Sequence, residues 1–160
     1  ELHWLERHPA TQVFRLAGIY GPGRSPFGKL RDATARIIDA PGHVVNRIHV
    51  GDIVSALLAS IDRPSAQDIY NIADGHPAPP GAVLRHAAEL IGAEAPSVVG
   101  LGDTSISAMA RSFYAETKRI DIGRARSRLG WTPRYPTYRE GLQAVLEAEA
   151  SRRENSRRDA

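Results

Sequence analysis

A stripe of apolar side chains in residues 52–62 is the sequence feature that most constrains the fold. Its members recur at i, i+1, i+4, i+5 and i+8, which predicts one amphipathic helix: Ile53, Val54, Leu57, Leu58 and Ile61. Asp52 is placed to cap this helix by accepting backbone N–H groups of the first turn. β-Rich segments at 12–20 and 68–73 lie on either side. A helix between two such strands is typical of a crossover in a parallel sheet, so the sequence predicts an α/β fold.

Weaker patterns extend the prediction along the chain. Residues 80–91 form a second amphipathic helix that Gly92 ends. Shorter patterns predict helices and strands: helices over 27–38, 104–115, 122–129 and 138–150, and strands over 44–50 and 97–101. This is too little sheet for a complete doubly wound fold. We therefore predict part of such a fold over residues 1–150, followed by a basic, disordered tail over 151–160.

Composition and charge narrow the class of protein. No apolar run approaches the roughly 18 residues of a membrane span, so no membrane partner is expected. The chain has no cysteine, which excludes disulfides and thiolate metal sites. Residues 151–160 carry +2 of the formal net charge of +3, and a basic tail on a near-neutral body is not the basic face that binds nucleic acid. A cytoplasmic protein is the default expectation. Because the chain begins at Glu1, we expect a fragment of a longer protein.

The groups that would carry chemistry are missing from the sequence. It contains no strand–GxGxxG–helix segment, and Gly21-Pro22-Gly23 is too short and includes a proline that removes one N–H donor. Tyr114 and Lys118 have the Tyr-x-x-x-Lys spacing, but they fall at the end of a weak helix, so we assign no catalytic residue. The histidines do not have metal-site spacing, and a metal site is not expected.

Four segments, in order, resemble the C-terminal half of the extended and atypical short-chain dehydrogenase/reductases, the NAD-dependent epimerase/dehydratase family. They are Phe14-Arg15-Leu16-Ala17-Gly18-Ile19-Tyr20-Gly21-Pro22-Gly23, Arg47-Ile48-His49-Val50-Gly51-Asp52-Ile53, Ile69-Tyr70-Asn71-Ile72, and Leu129-Gly130-Trp131-Thr132-Pro133 with Glu140-Gly141-Leu142. Together they cover nearly the whole chain.

The resemblance implies a partial Rossmann-like sheet, doubly wound and parallel, with the smaller C-terminal substrate lobe and without the N-terminal Gly-rich half. Residues 1–8 would then be the tail of the family's catalytic helix. NAD or NADP is the implied cofactor of the full-length parent, and none is expected for the isolated chain. The implied cofactor contacts of this chain lie at the end of its first strand: Leu16, Ala17, Gly18 and Ile19.

Departures from the family pattern weaken the case for a nucleotide-sugar substrate. Leu16 replaces the family's proline on the nicotinamide side of the site, and Gly51 replaces the first aspartate of His-Val-Asp-Asp. The arginine that commonly grips a nucleotide-sugar pyrophosphate falls at Val45, while Arg47 stands two positions later on the same face of a strand.

Three side chains are candidates for substrate binding. Arg24 follows a loop at the carboxyl end of a strand, where α/β folds place ligands. Arg47 and His49 alternate on a short strand and share one face. His49 has a second interpretation, in which it caps or packs against the following helix. Trp131 and Tyr135 are interpreted as a hydrophobic staple for the C-terminal helix.

Two functional hypotheses remain open at this point. In the first, the chain is the substrate-side fragment of an NAD(P)-dependent epimerase, dehydratase or oxidoreductase that acts on a small molecule such as a sugar or nucleotide-sugar, and the chain alone is inactive. Its partner would be the missing N-terminal half. In the second, the chain is a non-catalytic ligand-binding or protein-interaction module. An open sheet edge would then need a partner, which leaves a homodimer open.

Overall fold

The computed structural model describes residues 1–8, 10–65 and 68–158, without the side chain of Arg157. Helices and strands alternate through this part of the chain as α1 Leu2–Arg7, β1 Val13–Leu16, β2 Gly18–Tyr20, α2 Phe27–Arg31, β3 Arg36–Asp39, β4 Arg47–His49, α3 Val50–Asp62, β5 Ile69–Ile72, α4 Pro80–Ile91, β6 Ser97–Gly100, α5 Ala108–Phe113, α6 Gly123–Leu129 and α7 Tyr138–Arg158. The predicted α/β class is confirmed. No helix in the described ranges is long and apolar enough to cross a membrane.

The strands form three parallel pairs: β1 with β5, β2 with β4, and β3 with β6. The single strand predicted over 12–20 is two strands, because the chain changes partner at Ala17. The Ala17 N–H donates to the carbonyl of Ile72, the last residue of β5, and the Gly18 N–H donates to the carbonyl of Asn46, which directly precedes β4. The crossover through α3 joins β4 to β5, so it links two neighbouring sheets rather than two strands of one sheet.

The helix predicted over 27–38 is wrong in its second half. Helix α2 ends at Arg31, and Ala33 adopts a left-handed φ of 53°. β3 follows, and its β-branched Ile37 and Ile38 stand opposite Val98 and Val99 of β6. Pairing with β6 and burial of Ile37 outweigh the local helical pattern.

The predicted capping role of Asp52 is also wrong, because α3 begins two residues earlier than expected. The cap is His49, whose Nδ1 accepts from the Gly51 N–H at 3.1 Å. Asp52 is fully buried. Its two oxygens accept the backbone N–H groups of Arg134, at 2.7 Å, and Tyr135, at 3.1 Å. Asp52 therefore ties the loop before α7 to the first turn of α3.

Helix α3 presents most of its large apolar side chains outward. Small side chains, Ala56 and Ser60, face the core, with Ile53 and Ala59 partly buried beside them. Five apolar side chains on the opposite side are 42–72% exposed and form what we call the α3 stripe: Val50, Val54, Leu57, Leu58 and Ile61. Exposed apolar patches of this kind mark surfaces that another structure covers.

The segment before α7 is anchored to α3, and the last helix is longer than predicted. Trp131 is buried and its indole Nε1 donates to Ser55 Oγ on α3 at 2.9 Å. Helix α7 continues to Arg158 instead of ending near Ala150, which corrects the predicted disorder for residues 151–158. Ser151 and Ser156 each donate to the carbonyl four residues earlier, and the helix-favouring Glu and Arg residues extend the exposed end. Residues 159 and 160 lie outside the described residues.

Candidate functional site

A cleft of about 520 Å³ opens at the carboxyl end of β1, where the chain passes from one sheet to the next. In open α/β sheets this is the end at which ligands bind. The lining side chains are mainly apolar and come from three parts of the chain: Leu16, Ala17 and Gly18; His43, Val44, Val45 and Asn46; and Ser112, Phe113, Ala115, Glu116, Lys118 and Ile120.

Three of the four residues predicted to contact a cofactor line this cleft, namely Leu16, Ala17 and Gly18. Leu16 is 42% exposed, so its side chain is available to a ligand. Ile19 instead packs against the core beneath the cleft. A Cβ on Gly18 would lie 3.1 Å from the Asn46 carbonyl oxygen, so a glycine here lets β2 approach the opposite wall closely.

Asn46 holds the two walls of the cleft together. Its Nδ2 donates to the Lys118 carbonyl at 2.7 Å, and its Oδ1 accepts the Ile120 N–H at 3.0 Å. The Asn46 side chain thus forms with the segment after α5 the pair of hydrogen bonds that the backbone of a neighbouring strand would form. No sequence pattern indicates this role, because nothing local shows that residue 46 meets a segment more than 70 positions later.

His43 also forms part of the cleft, although the only role its sequence context suggests is that of a metal ligand. The imidazole is 5% exposed, and its Nδ1 lies 3.0 Å from Thr117 Oγ1. The rings of Phe113 and Tyr114 pack against it, with centroids at 5.6 and 4.7 Å. Among the described residues, no group of three or more His, Asp or Glu side chains could hold a metal ion.

Tyr114 and Lys118 do not share a helix face. Helix α5 ends at Phe113, and Tyr114 is its C-cap residue. The Lys118 ammonium is exposed and pairs with Glu116 at 2.8 Å. An ammonium in this position cannot lower the pKa of the Tyr114 phenol, and burial in fact raises that pKa.

The three predicted substrate-binding residues lie away from the lining of the cleft. Arg24 is exposed on the loop after β2. Arg47 is partly buried and its Nη1 donates to the carbonyls of Val45, at 2.9 Å, and Ala78, at 3.1 Å. His49 caps α3, and burial lowers the pKa of its imidazole. The capping interpretation of His49 is thus the one the structure displays, and the binding roles of all three residues stay predictions.

Asp74 is a buried carboxyl near Arg47, just after β5. Its Oδ1 accepts the His76 N–H at 2.9 Å. Burial raises the pKa of Asp74 from its ordinary value of 3.8 to about 6. The folded protein therefore binds this proton more tightly than the unfolded chain does. The resulting stabilisation is complete below pH 3.8 and is lost as the pH rises through 6.

We expect Asp74→Asn to leave stability near pH 4 almost unchanged and to raise the free energy of unfolding at pH 7.5 by about 2–3 kcal/mol, since the shift is about two pKa units and each unit corresponds to about 1.4 kcal/mol. The amide oxygen keeps the bond from the His76 N–H while the charge is removed. Urea unfolding of both proteins across pH 4–8 measures the difference. Asp39→Asn, on an exposed residue, is the control and should show no such divergence. Parallel stability curves for Asp74→Asn and the original chain would contradict this account.

The chain is similar in sequence to proteins that are already known. No family model matches the chain. It is 33% identical over 136 residues to protein YeeZ of Escherichia coli, covering 83% of this chain and 44% of that protein. It is 28% identical over 144 residues to the 3-diazoavenalumate denitrifying reductase of a Streptomyces species, covering 83% of this chain and 46% of that protein. The chain thus spans less than half the length of these curated relatives.

Solved structures agree with the resemblance seen in the sequence. A conserved protein of unknown function from Silicibacter pomeroyi is 47% identical, with a TM-score of 0.82 over 86% of this chain and 49% of that one. The dTDP-glucose 4,6-dehydratase of Bacillus anthracis in complex with NAD has a TM-score of 0.72 at 18% identity, over 96% and 49% of the two chains. RMD from Pseudomonas aeruginosa, complexed with NADPH, has a TM-score of 0.66 at 19% identity, over 91% and 50%. The predicted partial Rossmann-like fold is confirmed.

Proposed function

We propose that this chain is the C-terminal part of an NAD(P)-dependent epimerase/dehydratase-family protein and forms the substrate side of an NAD(P)-dependent reductase or epimerase. The observation that carries the proposal is the cleft at the carboxyl end of β1, lined by Leu16, Ala17 and Gly18. The related solved proteins bind NAD or NADPH, and one curated relative is a reductase.

The cleft fits one part of such a cofactor and not the rest. Leu16 and Ala17 offer an apolar wall against which a flat ring can lie, and Gly18 adds no side chain that would fill the space. The sequence contains no Gly-rich turn to cradle a pyrophosphate. A bound nicotinamide would supply hydride transfer. The residues of this chain would orient the ring and exclude water, while the remainder of the cofactor would be held by the half that the relatives possess in addition.

The α3 stripe also supports the view that this chain packs against an additional half of the family fold. Its side chains lie on a helix whose opposite face already packs against the buried core. Strand β1 pairs with β5 on one side only among the described residues, so its other edge offers free backbone groups to a further parallel strand. We infer that the additional half of the family fold packs on the α3 stripe and on the open edge of β1. Without that half, the isolated chain has no turnover.

Charged substitutions on the α3 stripe should reduce self-association of the isolated chain. We expect Val54→Glu/Leu58→Glu to lower the fraction of dimers and larger species at least severalfold, because two exposed apolar side chains are replaced by mutually repelling carboxylates. Multi-angle light scattering over a concentration series measures this. Val98→Glu is the control, since Val98 is 57% exposed on β6 and lies outside the stripe. An unaltered mass distribution in the double variant would show that the isolated chain does not self-associate through the α3 stripe.

The proposed function is tested by adding back the missing half. We would fuse the region of the Silicibacter pomeroyi protein that precedes the matched part to this chain and titrate NADPH by fluorescence. The fusion should bind NADPH, and Leu16→Glu should weaken binding at least tenfold by placing a carboxylate on the apolar wall. Val98→Glu, which places a carboxylate on an exposed apolar position outside the cleft, is the control and should leave NADPH binding unchanged. A folded fusion that does not bind NADPH, or equal binding by the isolated chain, would refute the proposal.

A further inference from the structure

We propose that His43 is the residue through which the cleft recognises its ligand, and that this ligand is a small, neutral, planar ring compound with a hydrogen-bonding oxygen. The inference rests on the proposed function in one respect, because it takes the cleft as the substrate side. It goes further by naming the contact atom and the chemical class.

The imidazole of His43 has one nitrogen in use and one without a partner. Nδ1 lies 3.0 Å from Thr117 Oγ1, which fixes the ring in its plane. Nε2 is buried and has no hydrogen-bond partner among the described residues. A buried polar atom without a partner costs free energy, and in native proteins such an atom requires an explanation. His43 lies in the wall of the cleft, so a ligand there is the group that could satisfy it.

The groups that cover His43 belong to the most weakly held part of the site. Phe113 and Tyr114 lie over its ring, at the end of α5. Helix α5 has no buried residue, and the Phe113 side chain is 57% exposed. Displacing Phe113, whose ring packs edge-on against the imidazole, would therefore cost little packing, and we infer that this displacement exposes Nε2 to the cleft. The exposed Phe113 ring then supplies a face for a second ring to stack on.

The charges of the cleft determine the class of ligand. Only two lining side chains are charged, Glu116 and Lys118, and they are paired with each other. No arginine lines the cleft, so a phosphate or pyrophosphate has no forked partner. The remaining surface is mainly aliphatic and aromatic. These features favour a neutral aromatic compound bearing a carbonyl or hydroxyl group over a nucleotide-sugar.

Two probes of similar shape test this inference on the 160-residue chain. The first is 4-hydroxyacetophenone, and the second is p-cymene, whose alkyl groups lack hydrogen-bonding atoms. We expect His43→Phe, which keeps a ring and removes both nitrogens, to weaken binding of 4-hydroxyacetophenone about tenfold, the loss expected for one buried hydrogen bond. Binding of p-cymene should change less than twofold. His86→Phe is the control, because His86 lies on α4 and does not line the cleft.

A second measurement uses the 160-residue chain without any substitution. In long-range ¹H–¹⁵N spectra, 4-hydroxyacetophenone should shift the His43 Nε2 resonance, while p-cymene should not. Failure of 4-hydroxyacetophenone to bind, an unmoved Nε2 resonance, or equal losses for both probes would overturn the inference. Neither probe experiment involves NADPH. The His43 inference can therefore fail while the fusion still binds NADPH, and it can hold while the fusion fails to bind NADPH.

Discussion

Replacing Asp52 by alanine should remove about 3–5 kcal/mol from the free energy of unfolding. The carboxylate is fully buried and accepts two backbone N–H groups, those of Arg134 and Tyr135, from a segment more than 80 positions away. Alanine leaves both donors without a partner, and each orphaned donor costs about 1–3 kcal/mol. Since a domain of this size is stable by only about 5–15 kcal/mol, the variant should be close to unfolding at moderate temperature.

Urea unfolding followed by circular dichroism measures this effect, with Asp62→Ala as the matched control. Asp62 lies on the same helix, is exposed, and should change stability by less than about 0.5 kcal/mol. Asp52→Asn should lie between the two, because the amide can accept only one of the two N–H groups without turning its own donor toward the other. A loss below about 1 kcal/mol for Asp52→Ala would show that the loop before α7 is held by other contacts.

Gly141→Ala should destabilise the protein by about 2–3 kcal/mol, although alanine is normally the better helix former. A Cβ at this position would overlap the Tyr20 hydroxyl and approach two of its ring carbons to 2.6 and 2.8 Å. Overpacking of this kind costs about 1–3 kcal/mol or more, which exceeds the 0.5–1 kcal/mol that alanine gains in a helix. Helix α7 therefore needs a glycine where it crosses β2.

A double-mutant cycle with Tyr20→Phe identifies the cause. The Tyr20 hydroxyl is buried without a partner among the described residues, and burial raises the pKa of this phenol. Tyr20→Phe alone should therefore be neutral or stabilising by about 1 kcal/mol, and it should partly rescue Gly141→Ala by removing the overlapping atom. Gly28→Ala is the control with the opposite sign, because Gly28 is an exposed position of α2 where a Cβ meets no atom within 4 Å. Additive effects of Tyr20→Phe and Gly141→Ala would contradict the overlap.

Local pattern predicted where most elements occur but not which way α3 faces. The spacing of Leu57, Leu58 and Ile61 correctly predicts a helix with one apolar stripe. In the structure the small residues Ala56 and Ser60 face the core, because α3 packs closely against α6 and Trp131 and only short side chains allow that approach. Hydrophobic periodicity identifies the apolar side of a helix, but it does not say whether the structure that covers that side is present.

Pairing between distant segments explains the other differences. The break at Ala17 follows from β1 and β2 having different partners, β5 and β4, which no local pattern reveals. The position of Asp52 at the start of an amphipathic pattern suggests a helix cap. Its actual partners, the backbone N–H groups of Arg134 and Tyr135, lie more than 80 positions later, so no local pattern indicates them.

The site was predictable only in the part that lies on a strand. Leu16, Ala17 and Gly18 could be placed because ligands bind at the carboxyl ends of parallel strands. His43 and Asn46 lie in an irregular segment and acquire their positions from Thr117, Lys118 and Ile120. The one available signal was their proximity to β4 in sequence, which was not enough to separate them from ordinary loop residues.

The most direct test of the central claim is a contact between the cofactor and the wall of the cleft. In the fusion with NADPH bound, nuclear Overhauser effects between the nicotinamide ring protons and the methyl groups of Leu16 and Ala17 report proximity within about 5–6 Å, the scale of direct neighbours. The account predicts these contacts, and it predicts that they disappear in Leu16→Glu. Nicotinamide protons that contact other methyl groups but neither Leu16 nor Ala17 would show that the cleft is not the substrate side of a dinucleotide site.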